Sequence, residues 1–196
     1  MRLSRQNKRN AIAPPGSVGG NLCGSILGDG CVILRYMKPR IYIETSAISY
    51  LAARPSLEAV NAARQFESLR LWSARDQFEL VVSSLVVDEA RAGDVAAATQ
   101  RLRFLNGLAR VPLSDDAVAT AKLLILRQAF PAKAFADALH VAIAAHTGCD
   151  AIASWNYRHI ANAWARQRVE ANLRELGLPV PLIATPDTLL ESENDD

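Results

Sequence analysis

The sequence predicts an α/β domain of three layers, helices on both faces of a short, mostly parallel central sheet. Three observations predict it. Short apolar runs with strand character alternate with segments of helical period from Arg40 onward. Several runs are apolar throughout, as a strand buried on both faces requires. At 196 residues, half of them apolar and 21% charged, the chain is long enough for one domain with a core of its own.

The elements follow in order. Ile41-Tyr42-Ile43 reads as the first strand, ending in Glu44-Thr45-Ser46, with a helical turn over Ala47–Leu51. Ser56 is a candidate N-cap for a helix carrying Val60, Ala63, Phe66 and Leu69 on one face to about Arg75. Glu79–Ser83 is the second strand, and Ser84 is positioned to cap a helix through Val86, Val87 and Ala90. Gly93 interrupts it, and Asp94 caps the next helix, to about Leu105. Arg110–Leu113 is a third strand, and Ser114-Asp115-Asp116 opens a helix to about Ala129. Pro131 separates that helix from the next, 134–147, which Gly148 ends. Asp150–Ser154 is the fourth strand. Trp155-Asn156 leads into a helix over Tyr157–Leu176, stopped by Gly177. Val180–Ala184 is the fifth strand, and Pro186-Asp187 begins a last helical turn.

Residues 1–37 hold six of the ten glycines, Pro14 and Pro15, with no sustained periodicity, and are expected to form a disordered leader. Two readings are open: a genuine flexible arm, or a start assigned upstream of a true one at Met37. The body is expected to span 38–190, with 191–196 as an acidic tail.

Charge and cysteine usage exclude several classes. Residues 1–40 carry a formal charge of +6 and residues 187–196 carry −5, so the body is near neutral. Any nucleic-acid site must then be a local groove. Cys23, Cys31 and Cys149 are odd in number and form no CxxC pair, so neither a disulfide framework nor a zinc site follows, and a reducing, cytoplasmic setting is the simpler reading. No apolar run approaches a membrane span.

Ligands of parallel sheets bind beyond the C-terminal ends of the strands. Glu44 ends the first strand, Glu89 lies in the helix after the second, Asp137 opens the helix before the fourth, and Asn156 follows the fourth. The expectation is that all four converge. Two carboxylates within about 4 Å repel by ~1–4 kcal/mol at effective dielectrics of 80 to 20, so such a cluster invites a cation. Oxygen ligands without His or Cys select Mg²⁺ or Mn²⁺. Such an ion activates water and stabilises charge on a phosphoryl group, which points to phosphodiester hydrolysis.

The segments Ile41–Leu51, Ser84–Glu89 with Gly93-Asp94, Lys133–Ala144 and Asp150–Asn162 resemble, in order and spacing, those of PIN-domain ribonucleases, with the VapC-type toxins of toxin–antitoxin pairs as the nearest look-alikes. The resemblance implies a metal-dependent endoribonuclease acting on RNA, a small antitoxin partner and a homodimer. It places Glu44, Glu89 and Asp137 at the metal-binding acids, and Asn156 where many members carry a further Asp. Thr45, Ser46 and Ser154 are supporting residues; Thr45 and Ser46 also suit helix capping. Two departures stand out: Glu44 replaces the usual Asp and is one methylene longer, and Asn156 is neutral. They motivate a second reading, a catalytically weak scaffold that binds a protein or RNA partner.

Each candidate also has a plainer reading. Arg91, Lys133 and Arg158 are candidate phosphate clamps or simply solvated charges. Glu89 is preferred over Asp88 by its spacing to Gly93. Asp150, at the start of its strand, suits a turn. His140, one helical turn from Asp137, and His159 read as packed or hydrogen-bonded groups, and Trp155 as core.

Overall fold

The computed structural model describes residues 22–27 and 31–191. The chain divides into two compact units, 1–37 and 38–196. In the first, β1 (Leu22–Leu27) pairs antiparallel with β2 (Cys31–Tyr36), Leu22 opposite Tyr36 and Leu27 opposite Cys31. These strands fall within the leader expected over 1–37. Two apolar runs flank Gly28-Asp29-Gly30, a hairpin signal that the glycine count concealed. Residues 1–21 and the acidic tail after Glu191 lie outside the described residues.

The second unit holds a five-stranded, wholly parallel sheet: β3 (Arg40–Ile43), β4 (Glu79–Ser83), β5 (Ala109–Val111), β6 (Ala151–Ala153) and β7 (Leu182–Ala184). Their spatial order is β5-β4-β3-β6-β7. Tyr42 pairs with Val81 on one side and Ile152 on the other. The chain starts in the middle, builds outward through β4 and β5, then returns to add β6 and β7. That reversal opens a crevice at the C-terminal ends of β3 and its two neighbours, the switch point where α/β sheets bind ligands. Every strand is short, and β3 and β6 are almost entirely inaccessible to solvent, as runs of Ile, Tyr and Ala buried on both faces require.

The helices are α1 (Thr45–Ala52), α2 (Ala59–Ser73), α3 (Ser84–Arg91), α4 (Val95–Leu105), α5 (Asp115–Leu126), α6 (Phe135–His146), α7 (Ala163–Glu175) and α8 (Pro186–Glu191). With the sheet they make the three-layer α/β/α architecture the sequence predicts. α1 packs with α2, α3 and α4, α8 with α2, and α5 with α6. Helix α6 is buried without interruption from Ala138 to Ala145, and its alanines keep it slim enough for that position. Gly148 follows it at φ +64°, left-handed backbone that an L side chain rarely adopts.

Some boundaries differ from expectation. α2 starts at Ala59, and Ser56 does not cap it; its Oγ accepts a bond from Glu58 N at 3.2 Å. Ser83, not Ser84, caps α3, accepting from Val86 N at 3.5 Å. α7 begins at Ala163, not Tyr157. Asn162 is its cap, accepting from Trp164 N and Ala165 N at 3.1 Å each, while 157–161 form turns after Asn156. The third strand ends at Val111 because Pro112 has no N–H to continue it.

Candidate active site

Glu44 leaves β3 and becomes the N-cap of α1. Its carboxylate folds back so that Oε2 accepts from Ser46 N at 3.1 Å, from Ser154 Oγ at 2.9 Å and from Ser46 Oγ. Glu is not a favoured N-cap, but the extra methylene gives it the reach to close on its own helix. Glu44 is only 5% exposed. Its two hydroxyl donors are themselves held from β6: Trp155 N donates to Ser46 Oγ at 2.8 Å, and Asn156 N to Ser154 Oγ at 3.0 Å.

Glu89 comes from α3. Its Oε2 accepts from Thr45 Oγ1 and from His140 Nε2, the latter at 3.0 Å. Burial pushes this carboxyl up, but the His140 bond and charge and the Thr45 bond outweigh it and hold the group below the usual carboxylate range. Thr45 and Ser46 therefore serve the two carboxylates, and the capping role falls to Glu44 itself.

Asp137 opens α6, half-buried, with Oδ1 accepting from Asn156 Nδ2 at 2.8 Å. Burial raises its pKa above the ordinary value; His159 and His140 oppose the rise, while Glu44 and Glu89 add to it. Asn156 links this acid to β6, and its Oδ1 accepts from His159 N at 3.2 Å. The four residues from β3, α3, α6 and the β6 exit thus share one bonded or electrostatically coupled region.

Beneath them lies a group that does not belong to the expected ligand set. His140, 1% exposed, bonds Glu89 through Nε2 and the Tyr42 hydroxyl through Nδ1 at 2.8 Å. Tyr42 OH also meets Ser83 Oγ at 2.7 Å, and burial raises the phenol far above its usual range, so it keeps its proton. An ionised carboxylate only accepts, so Nε2 carries a hydrogen. The Tyr42 hydroxyl thus bridges His140 Nδ1 and Ser83 Oγ. Ser83, Tyr42, His140 and Glu89 are joined in one bonded chain. His140 is buried and hydrogen-bonded as its sequence reading held, and it also grips a site carboxylate. Its spacing of three residues from Asp137 on α6 was the available signal.

Ligand atoms of Glu44, Glu89 and His140 all lie within 4.8 Å of one another, a grouping that does not include Asp137. The imidazole hydrogen points at Glu89, so the oxygens are the donors on offer. Two gathered carboxylates with a third coupled to them suit a hard divalent cation.

The other candidates fall outside this network. Arg91 is exposed and pairs with Asp88 at 2.9 Å. Lys133 and Arg158 are exposed, with no ion pair among the described residues. Asp150 sits at the far end of the sheet, where its Oδ2 accepts from Arg40 N at 2.7 Å. Trp155 is buried, its Nε1 donating to Ser68 Oγ at 2.8 Å.

Fold and site together define a three-layer α/β domain with an acidic centre at its topological switch point. Residues 41–165 match the PIN domain family, and the chain belongs to it. A solved structure, VapC20 of Mycobacterium tuberculosis, described as a sarcin-ricin loop cleaving toxin, is similar at 20% identity and a TM-score of 0.48, covering 63% of this chain and 95% of that one. No curated protein sequence matches.

Proposed function

We propose that this protein is a metal-dependent endoribonuclease, the cytoplasmic toxin of a type II toxin–antitoxin pair. The observation that carries the nuclease reading is the gathering of the Glu44 and Glu89 carboxylates within 4.8 Å of each other, with Asp137 in electrostatic reach of both, at the sheet's switch point. Glu44, Glu89 and Asp137 would hold Mg²⁺ or Mn²⁺. When bound, the ion supplies positive charge that acidifies a water and offsets charge on the phosphoryl oxygens.

The chain's own residues set the stage. His140 and Thr45 fix Glu89, Ser46 and Ser154 fix Glu44, and Asn156 fixes Asp137, so each carboxylate reaches substrate already oriented. In the reaction an oxygen of water bonds to phosphorus and a bridging P–O bond of the RNA breaks. Water loses one proton and the leaving oxygen gains one. A small antitoxin covering the groove and a homodimer complete the proposal, on the family resemblance. A short partner gene upstream of this reading frame is the expected genetic context.

The test compares RNA cleavage by wild type and Asp137→Asn. The variant keeps an oxygen for Asn156 to bond and loses the charge, so cleavage is expected to fall by at least about a hundredfold, as loss of a main electrostatic contributor does. Equal cleavage by both removes Asp137 from the mechanism. A second reading, a weak scaffold for a protein or RNA partner, is favoured by one observation: three protein donors already occupy Glu44 Oε2. Absence of saturable Mn²⁺ binding would select it.

A further inference from the structure

Arg64 on α2 is enclosed by aromatic rings. Its guanidinium carbon stands 5.5 Å from the ring centre of Tyr50, 5.9 Å from that of Trp155 and 5.3 Å from that of Tyr157. Nη1 donates to Tyr50 OH at 2.7 Å, and that hydroxyl donates to Asn61 Oδ1 at 3.2 Å. The rings brace one another, Tyr50 edge-on to Trp155 at 6.2 Å and Trp155 tilted against Tyr157 at 6.2 Å. Ring faces attract a cation without neutralising it. No carboxylate pairs with Arg64 among the described residues, whereas Arg70, Arg91, Arg127 and Arg174 are each matched by an acid.

The segment that carries two of the cage rings also bonds the residues that hold the acidic centre. Trp155 and Tyr157 straddle Asn156, the residue that holds Asp137, and Trp155 N bonds the hydroxyl of Ser46 that holds Glu44. A cluster of carboxylates repels a polyanion, so a nuclease built on one needs positive charge beside it. A guanidinium with free donors in a planar fork matches a phosphate. Tyr157, 48% exposed, also offers a ring on which a base can stack.

We infer that Arg64 and Tyr157 form a nucleotide subsite beside the acidic centre, Arg64 contacting a phosphate of single-stranded RNA next to the scissile one and Tyr157 stacking a base. The inference rests on the nuclease reading. None of the basic residues singled out from the sequence belongs to this subsite, because its cation and its rings are far apart along the chain.

The experiment measures binding of a labelled single-stranded RNA of mixed sequence to the full-length Asp137→Asn protein over a salt series. Adding Arg64→Gln is expected to weaken binding and to reduce the slope of log affinity against log salt by about 0.7, the loss of one phosphate contact. Arg64→Lys is expected to keep that slope. Tyr157→Leu, at a half-exposed position, is expected to weaken binding about tenfold, as loss of one stacked base does, with the slope unchanged. Thermal unfolding of each variant identifies those that fold. Unchanged affinity and slope in folded Arg64→Gln overturn the inference, and the cage is then only a brace between α1, α2 and the β6 exit. Should Arg64→Gln fail to fold, unchanged affinity in Tyr157→Leu overturns it. When wild type cleaves and Asp137→Asn binds RNA, these results fall on the subsite alone. If wild type neither cleaves nor binds RNA, the nuclease reading falls and the subsite with it.

Discussion

Replacing Tyr42 with Phe removes a single oxygen from beneath the carboxylates. Tyr42 is fully buried, and its hydroxyl meets two groups, Ser83 Oγ at 2.7 Å and His140 Nδ1 at 2.8 Å. Both partners are within 1% of complete burial, so no water replaces the lost contact. The variant strands His140 Nδ1 and takes the Tyr42 partner from Ser83 Oγ. Each stranded group costs about 1–3 kcal/mol, and Phe keeps the packing, so Tyr42→Phe is expected to lose about 2–6 kcal/mol in all. Urea unfolding, with the midpoint shifted and the slope unchanged, measures it. Tyr42→Phe combined with Ser83→Ala is the sharper arm. Removing both ends of one bond strands only His140, so the double variant is expected to cost clearly less than the sum of the singles, even though Ser83 also caps α3 at a long 3.5 Å. Costs that add within about 0.5 kcal/mol refute the coupling of Ser83 to Tyr42 in this chain.

Acid unfolding in the presence of a chelator tests the two shifted carboxyls. Glu89 is held below its ordinary value, so its contribution to stability is complete above the unfolded value of 4.5 and disappears as pH falls through the folded one. Asp137 is raised, so its ionised form costs stability at neutral pH, a cost that vanishes as pH falls toward 3.8. Glu89→Gln is therefore expected to flatten the acid limb, while Asp137→Asn melts higher than wild type at neutral pH; the opposite order refutes these environments. Mn²⁺ is expected to stabilise wild type by about 2.7 kcal/mol at a concentration 100 times the dissociation constant, read as a melting temperature that keeps rising with the logarithm of Mn²⁺ concentration, and to lose that effect in Glu89→Gln. An equal shift in both proteins refutes Glu89 as a ligand.

Local chemistry was legible along the chain. Ile41-Tyr42-Ile43 has no polar face, so it belongs in the middle of a sheet, and it does. Asp94 caps α4 as its residue type requires, accepting from Ala97 N at 2.9 Å. Gly148 ends α6 because the backbone there turns left-handed. Strand ends place polar residues at the sheet's C-terminal edge, and Glu44, Glu89, Asp137 and Asn156 were singled out on that ground together with the family resemblance. The hairpin over Leu22–Tyr36 was hidden because its two apolar runs sit among glycines that read as loop.

What only the tertiary structure decided is how those residues are held. The reach of Glu44 back onto its own helix depends on Ser154, 110 residues away. His140 meets Tyr42 across 98 positions and Glu89 across 51. Arg64 finds its rings on α1 and at the β6 exit. Hydrogen bonds and ring contacts depend on distances of a few ångströms in space, and the crossovers of a parallel sheet separate such neighbours by tens of residues in sequence. Residue types and periodicity set the elements and the edge where chemistry gathers, and packing selects the partners there.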